Sequence, residues 1–330
     1  MRRAELPVFL DCDTGVDDAL ALAYLIGCPE VDLVGVAATG GNVAVDQVCR
    51  NNLDLVALCG SADIPVSAGS ESPLGGPLPV GSAHGATGLG YALVPSAGAV
   101  ATAHDAATAW VRAAHRHPGR LVGVVTGPLT NLALALQREP ALPTLLGRLV
   151  VMGGAYGIPV YRGNVSPVAE WNISVDPEAA AAVLAGFATA LTPPLLCGLD
   201  LTTQVLLTPH HFQRLAAVAG SATTPLLRVL EDATRYYFEV HRDAGYGYAA
   251  HPHDALAAAA AVDPGLVTAA AATVEVELAG TVTRGMTVVD WSGLWGRAVN
   301  AQIGVAVDPA VFLDRFIDRV GTLAGRLAHS

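Results

Sequence analysis

The sequence predicts an α/β fold in which a doubly wound, mostly parallel sheet is flanked by helices. Short apolar runs alternate along the chain with stretches of helical character, which is the order typical of a doubly wound domain. The apolar runs are rich in Val and Leu without polar alternation, as expected for strands covered on both faces. Residues 273–289 do alternate with period two around Ala279-Gly280, which predicts a small antiparallel hairpin.

The strands are predicted from the short apolar runs in chain order, at 7–12 (PVFLDC), 31–38 (VDLVGVAA), 64–68, 121–126 (LVGVVT), 148–153 (RLVVMG) and 188–191. Helices are predicted between and after them, at 17–27, 43–59, 103–116, 130–138, 177–186, 209–219, 223–241, 254–262 and 309–328. Two Gly- and Pro-rich stretches, 69–98 and 153–169, are long for loops of a compact domain, so they are candidates for function. No low-complexity linker divides the chain, and residues 1–330 are predicted to form a single domain.

Composition excludes several classes of function. A net charge of −11 disfavours binding to a nucleic-acid backbone. All 18 basic residues are Arg, which excludes a Walker A lysine, a Schiff-base lysine and pyridoxal chemistry. No uninterrupted apolar stretch of about 18 residues is present, so no membrane span is expected. The five Cys are an odd number without a CxxC pair, which favours a reduced, cytoplasmic protein.

The run LDCDTGVDDALAL, residues 10–22, places four carboxylates where a strand is predicted to lead into a helix: Asp11, Asp13, Asp17 and Asp18. Helix capping accounts for the last two, because Thr14-x-x-Asp17 fits a capping box and acids suit the first turn. It does not account for the first two, which end an apolar strand. Buried like charges raise each other's pKa, and a hard cation such as Ca²⁺ or Mg²⁺ would relieve this conflict. The run therefore predicts a metal site at the carboxyl end of a strand.

Known metal motifs fit the run unequally. An EF-hand loop is excluded, because Val16 and Leu22 stand where that loop needs Gly and Glu. A strand followed by DxD is also found in haloacid-dehalogenase-type phosphatases. Here the fifth position is Gly15, and the basic residue that such enzymes use, usually Lys, has no counterpart in a chain without Lys. A phosphatase stays open only as a poor fit.

The full run resembles the signature of the inosine-uridine preferring nucleoside hydrolases. Further segments resemble motifs of this family in the same order: ATGGN (38–42), AHGATGLG (83–90), VVTGPLTNLA (124–133), VVMGGAY (150–156), GNVSPVAEWNISVDPEAA (163–180), PHDALA (252–257) and GMTVVD (285–290). The resemblance extends from residue 10 to about residue 290.

The resemblance implies a Rossmann-like α/β core and hydrolysis of the N-glycosidic bond of ribonucleosides, purine or pyrimidine, to ribose and free base. It implies a Ca²⁺ ion held by Asp13, Asp18, the backbone carbonyl of Thr126 and Asp254. A water on this metal, activated by Asp13, would attack the sugar as positive charge develops on the ring. Asp11 is expected to support its neighbours from behind. The family also implies a homodimer or homotetramer.

The same resemblance assigns the substrate contacts. Asp17, Asn42 and Asn172 would bind the ribose 2′ and 3′ hydroxyls, and Asn164 and Glu170 the 5′ hydroxyl. Met152 would pack near the sugar, His84 would line the site, and Tyr237 would occupy an aromatic position on the base side. His253 matches the family's candidate proton donor, but His241 stands where some members have Tyr, so either could protonate the leaving base.

The sequence also departs from the family. Where the family has H-D-P, this chain has His253-Asp254-Ala255; loss of a first-turn Pro removes rigidity but no ligand. The base-lining segment 235–254 leaves the base preference open. Two alternatives remain: a hydrolase of a related N-riboside such as nicotinamide riboside, and a catalytically silent nucleoside- or ribose-binding protein.

Overall fold

The computed structural model describes residues 6–79, 81–220 and 224–329 and confirms the predicted α/β class. Within these ranges the strands are β1 (Leu6–Cys12), β2 (Val31–Ala38), β3 (Val66–Ala68), β4 (Leu121–Val125), β5 (Leu146–Met152), β6 (Leu195–Cys197), β7 (Val267–Val276), β8 (Thr287–Asp290) and β9 (Ala301–Val307). They form one nine-stranded sheet in the order β3-β2-β1-β4-β5-β6-β9-β7-β8.

Most of the sheet is parallel. β1 pairs in parallel with β2 on one side and β4 on the other, and the parallel pairing continues through β5 and β6 to β9. β7 is antiparallel to β9, and β8 is antiparallel to β7. The strand order reverses between β1 and β4, so a crevice is expected at their carboxyl ends, where α/β proteins bind ligands.

Helices cover the two faces of the sheet. They are α1 (Val16–Gly27), α2 (Val45–Leu58), α3 (Ala106–Arg116), α4 (Thr130–Arg138), α5 (Leu142–Leu145), α6 (Trp171–Val175), α7 (Pro177–Gly186), α8 (Leu199–Thr202), α9 (Pro209–Ala219), α10 (Pro225–Asp243), α11 (His253–Val262) and α12 (Pro309–Leu327). Successive β1 residues alternate between two cores: Val8 and Leu10 join the one formed with α1 and α11, and Phe9 the one formed with α3. This double cover explains why the strands read as continuous apolar runs.

The first helix is deeply embedded. It packs against α11, α12 and α10, and its residues are almost all buried, including Asp17 and Asp18 in the first turn. A helix held from all sides keeps its first turn fixed relative to the end of β1. Asp17 and Asp18 are therefore placed by the rigid core, and Asp13 lies in the short connection between β1 and α1.

The strand predicted at 188–191 is wrong. Phe187–Thr189 forms a single 3₁₀ turn after α7, and the strand begins only after Pro193-Pro194, as β6. Register with the neighbouring strand decides this, because Leu195 pairs with Val150 and Cys197 with Met152.

The predicted hairpin is present but larger than expected. Thr273 pairs with Asp290 and Val276 with Thr287, so the connection spans residues 277–286. β7 also begins earlier than predicted, and β9 was not predicted at all. The predicted helix at 223–241 is observed at Pro225–Asp243, and residue 223 lies outside the described residues. The short helices α5, α6 and α8 were also missed. That residues 1–330 form one domain stays a prediction.

Two further expectations concern cysteines and membranes. All five Cys are free and buried. Among the described helices, none has both the length and the apolar character needed to cross a membrane.

Candidate active site

A cavity of about 1030 Å³ opens at the carboxyl edge of the sheet, where the strand order reverses. Of the predicted site residues, all but Asp18 line it: Asp13, Asp17, Asn42, His84, Thr126, Met152, Asn164, Glu170, Asn172, Tyr237, His241, His253 and Asp254. Asp18 is buried in the first turn of α1. A smaller cavity of about 520 Å³ elsewhere is lined by none of these residues.

Three carboxylates form the tightest polar group of the site. Oxygens of Asp17, Asp18 and Asp254 all lie within 4.8 Å of one another, and all three side chains are buried. Asp18 is held by the Gly15 N–H at 2.7 Å and by the Thr126 hydroxyl at 2.7 Å. Burial, followed by repulsion from Asp18, raises the pKa of Asp17 to about 7. Burial, followed by repulsion from Asp17 and Asp18, raises the pKa of Asp254 well above its usual value. A hard cation would compensate this charge with a set of oxygen ligands.

Asp13 lies beside this group without belonging to it. One oxygen accepts the backbone N–H of Asn42 at 2.8 Å, and the side chain is only 1% exposed. Burial, followed by repulsion from Asp18, raises the pKa of Asp13 well above its usual value. A Cβ atom at Gly41 would collide with this carboxylate, so the glycine in ATGGN allows the loop after β2 to close over Asp13. Sequence reasoning missed this role of Gly41.

Asp11 is not part of the cavity lining and instead holds the end of β1 in place through hydrogen bonds. Its carboxylate accepts hydrogen bonds from Thr39, from Asn131 at 3.0 Å and from the indole N–H of Trp110 at 2.7 Å. Burial raises the pKa of Asp11 to about 6, against the opposite effect of these hydrogen bonds. The network joins β1 to the loop after β2, to α3 and to α4, and so fixes the end of β1.

On the opposite side of the cavity, amide and carboxylate groups organise the loops after β4 and β5. The Asn172 side chain donates to the carbonyl of Thr126 at 2.8 Å and to that of Met152 at 3.1 Å. Glu170 caps α6 by accepting N–H groups of Asn172, Ile173 and Gly154, and burial raises its pKa. Asn164 is exposed and accepts the N–H of Trp171 at 2.9 Å.

Hydrogen bonds fix the tautomers of His84 and His241 and engage one nitrogen of His253. Nδ1 of His84 accepts the N–H of Val16 at 3.0 Å, and burial lowers the pKa of His84 to about 4. Nδ1 of His253 lies 2.6 Å from the Thr202 hydroxyl. The same hydroxyl lies 3.2 Å from the Gly198 carbonyl and can donate to either group, so it engages Nδ1 of His253 in both tautomers. Nδ1 of His241 donates to the carbonyl of Tyr237 at 2.9 Å.

Several lining residues were missed from the sequence. His251, two positions before His253, has its ring centroid 5.6 Å from those of both His241 and His253. The HPH spacing was the available signal. Arg162, Asp200 and Gln204 also line the cavity. The last two follow β6, whose position was predicted wrongly, so their approach to the site could not be foreseen.

Comparison with known families decides what this arrangement belongs to. The sequence model of the family described as inosine-uridine preferring nucleoside hydrolase matches residues 8–314. The chain belongs to the inosine-uridine preferring nucleoside hydrolase family. Membership makes this nucleoside hydrolase an enzyme, an N-glycosidase, and confirms the predicted resemblance. It leaves the individual site assignments as predictions.

Relatives of this nucleoside hydrolase differ in their base preference. The chain is 35% identical to the pyrimidine-specific ribonucleoside hydrolase RihA of Citrobacter koseri, over 97% of this chain and 99% of that protein. It is 36% identical to RihA of Escherichia coli, over 96% and 98%. The solved structure of a purine-preferring ribonucleoside hydrolase from Gardnerella vaginalis superposes with a TM-score of 0.89 at 34% identity, covering 97% of this chain and 99% of that one. Overall similarity therefore does not determine the base.

Proposed function

We propose that this nucleoside hydrolase uses Ca²⁺ to hydrolyse ribonucleosides to ribose and free base. The observation that supports this is the buried group of carboxylates with oxygens within 4.8 Å of one another, at the floor of the cavity. Its donors are all oxygen, which suits Ca²⁺ better than the softer metals that prefer Cys or His. Asp13, Asp18, Asp254 and the Thr126 carbonyl would hold the ion. Asp17, which belongs to the tightest group, would bind the ribose diol.

When bound, Ca²⁺ would supply positive charge that orients the attacking water and the sugar diol. Asp13, whose carboxylate is held in place by the Asn42 N–H, would take the proton of that water. As the N-glycosidic bond breaks, the surrounding carboxylates stabilise positive charge on the ribose ring. The floor of the cavity is thus arranged around the sugar carbon that is attacked.

The sugar is bound by groups whose positions are already fixed. Asn172 is held by two carbonyls and Glu170 by three N–H groups, so both are ordered before substrate arrives. Asp17, Asn42 and Asn172 would bind the 2′ and 3′ hydroxyls. Asn164 and Glu170 would bind the 5′ hydroxyl, and Met152 would pack against the ring. Such preorganisation lowers the entropic cost of positioning the substrate.

The leaving base takes a proton, which we propose comes from His253. Its Nδ1 is engaged by the Thr202 hydroxyl, so the proton would leave from Nε2. His241 is the alternative donor; its Nδ1 hydrogen is committed to the Tyr237 carbonyl, so it would have to gain a second proton at Nε2 before it could donate. The two residues can be separated by a substrate whose leaving group needs no proton.

His253→Ala is expected to slow nucleoside hydrolysis by roughly 10²- to 10⁴-fold, the usual contribution of a general acid. Cleavage of p-nitrophenyl β-D-ribofuranoside should change far less, because its phenolate leaves as a stable anion. Steady-state rates on both substrates, for His253→Ala and His241→Ala side by side, make the test. If the selective loss appears in His241→Ala instead, then His241 is the donor. Near-normal nucleoside rates in both variants would refute either assignment.

The activity itself is tested by release of reducing sugar from inosine, uridine, cytidine, adenosine and guanosine, each with and without a calcium chelator. We expect release from at least one nucleoside, abolished by chelator and restored by added Ca²⁺. Failure with all five, with Ca²⁺ bound, would contradict the proposal and direct the assay to nicotinamide riboside or to simple nucleoside binding. A homodimer or homotetramer and a cytoplasmic location stay predictions.

A further inference from the structure

Three imidazole rings form a continuous part of the cavity lining. We term His241, His251 and His253 the imidazole wall. The rings of His241 and His251, and those of His251 and His253, have centroids 5.6 Å apart. His241 lies near the end of α10, His251 in the loop before α11, and His253 at the start of α11. Residues from two helices and a loop thus present one chemical group to the cavity.

Every ring of the imidazole wall uses Nδ1 to bond the protein. His251 donates through Nδ1 to the carbonyl of Val205 at 2.8 Å, and His241 donates to that of Tyr237 at 2.9 Å. A carbonyl only accepts, so neither ring can move its hydrogen to Nε2 without placing two lone pairs against each other. These two rings are therefore locked with an unprotonated Nε2. That atom is a hydrogen-bond acceptor.

Protonation of the rings at pH 7 would turn Nε2 into a donor, but both rings are expected to be neutral. Burial is the largest influence on both groups and lowers the pKa of His251 and that of His241 below the usual value for histidine. Both rings are therefore neutral at pH 7. A neutral ring with hydrogen on Nδ1 offers a lone pair at Nε2, and no donor there.

The polar side chains of α8 and of the residues after it have no free hydrogen-bond donor to offer a base. The Thr203 hydroxyl donates to the Leu199 carbonyl at 2.7 Å. The Gln204 amide donates to the carbonyls of Asp200 and Val305. The Asp200 carboxylate accepts the N–H groups of Tyr156 and Ile158. All three are engaged with backbone, which leaves the imidazoles, with Tyr237 and Tyr246 beside His241, to meet a base on this side.

We infer that His251, with His241 beside it, selects nucleosides whose base carries an exocyclic amino group, so that cytidine is preferred to uridine and adenosine to inosine. An amino group places N–H donors against the Nε2 lone pairs. An oxo group in the same place sets its own lone pairs against them, so the base must shift to bring its ring N–H onto one Nε2 and leaves the other unpaired. The inference rests on the proposed function and deepens it by naming the substrate class.

The test is kcat/KM for cytidine and uridine with the Ca²⁺-loaded enzyme, with adenosine and inosine as a second pair. We expect a preference for the amino base of roughly 10- to 100-fold, as for loss of a buried hydrogen bond. His251→Phe keeps an aromatic ring without the acceptor, and its cytidine-to-uridine ratio should fall toward one. His210→Phe makes the same change at an exposed histidine and should keep the ratio. His251→Gln, whose amide can turn to donate, should also relax the preference and serves if the Phe variant does not fold.

Other outcomes overturn the inference. Uridine cleaved as well as or better than cytidine would do so, as would an unchanged ratio in both His251 variants. A uridine preference that disappears in Arg162→Ala would assign base selection to that exposed cation of the cavity lining instead. If no nucleoside is hydrolysed, the proposed function fails, and calorimetry with cytidine and uridine still measures the preference. Equal binding of the two would then overturn the inference separately.

Discussion

Asp13→Asn is expected to lower kcat/KM for ribonucleosides by roughly 10²- to 10⁴-fold, the contribution of a positioned general base. This corresponds to about 3 to 5 kcal/mol of transition-state stabilisation. The amide has nearly the shape of the carboxylate and can still accept the Asn42 N–H through its oxygen, so the fold should be preserved. What is lost is the group that takes the proton from water. Removing one buried negative charge also favours the metal-free folded state, since repulsion helps to raise the pKa of this carboxyl.

The measurement is steady-state kinetics together with circular dichroism and thermal unfolding. Asp63→Asn, at an exposed carboxylate far from the acidic run, is the matched control and should behave as wild type. Turnover near the wild-type rate in Asp13→Asn would show that another group activates the water. A folded variant without turnover that still responds to Ca²⁺ would support a role as base over a role as ligand.

Ca²⁺ is expected to raise the melting temperature of the wild-type protein, because an ion that binds only the folded state stabilises it. At a Ca²⁺ concentration of about 100 times its Kd the gain is about 2.7 kcal/mol. For a chain of this length, roughly 1 to 2 °C per kcal/mol follows from the entropy of unfolding. A shift of about 3 to 5 °C between chelator and Ca²⁺ should therefore be seen by scanning calorimetry.

Asp254→Asn tests whether the Ca²⁺-dependent shift in melting temperature arises at the proposed site. Repulsion from Asp17, Asp18 and Asp13 contributes to the raised pKa of Asp254, so removing the charge relieves the metal-free protein. In chelator the variant should melt at or above the wild-type temperature, and in Ca²⁺ below it. Such a crossing cannot arise from a general loss of packing. An equal Ca²⁺ shift in the variant and the wild type would remove Asp254 from the ligand set.

Much of the fold could be predicted because its determinants are local. The end of β1 and the start of α1 follow from an apolar run and acids in a first turn, although the predicted Thr14-Asp17 capping box is wrong: Gly15 is the N-cap, and Asp18 accepts its N–H. β6 could not be placed in this way, since its start is set by register with Val150 on a distant part of the chain. β9 was missed although AQIGVAV is apolar, because its role depends on pairing with both β6 and β7.

The candidate site likewise contains residues that local motifs predict and residues that only tertiary contacts reveal. Asp13, Asp17, Asp18 and Asp254 lie in segments that resemble family motifs, and the structure brings them together. The Nδ1 partner of His251 is the carbonyl of Val205, 46 positions earlier in the chain, which no local pattern reveals. Gly41 was missed for a related reason, because its importance lies in the close approach of another segment. Motifs therefore indicate the candidate site residues. Tertiary contacts determine the protonation state of each side chain and the distances between them.

The imidazole wall and the buried carboxylates Asp17 and Asp18 lie on elements that differ in their tolerance to amino-acid substitution. Asp17 and Asp18 lie in a helix enclosed by the core, where almost any substitution disturbs packing. His241 lies close to the exposed C-terminal end of α10, and His251 lies in the loop that follows, so their neighbours can vary with little effect on the core. Natural variation could thus redirect the enzyme to another base while retaining ribose chemistry. This separation gives a structural basis for relatives of comparable identity that differ between purines and pyrimidines.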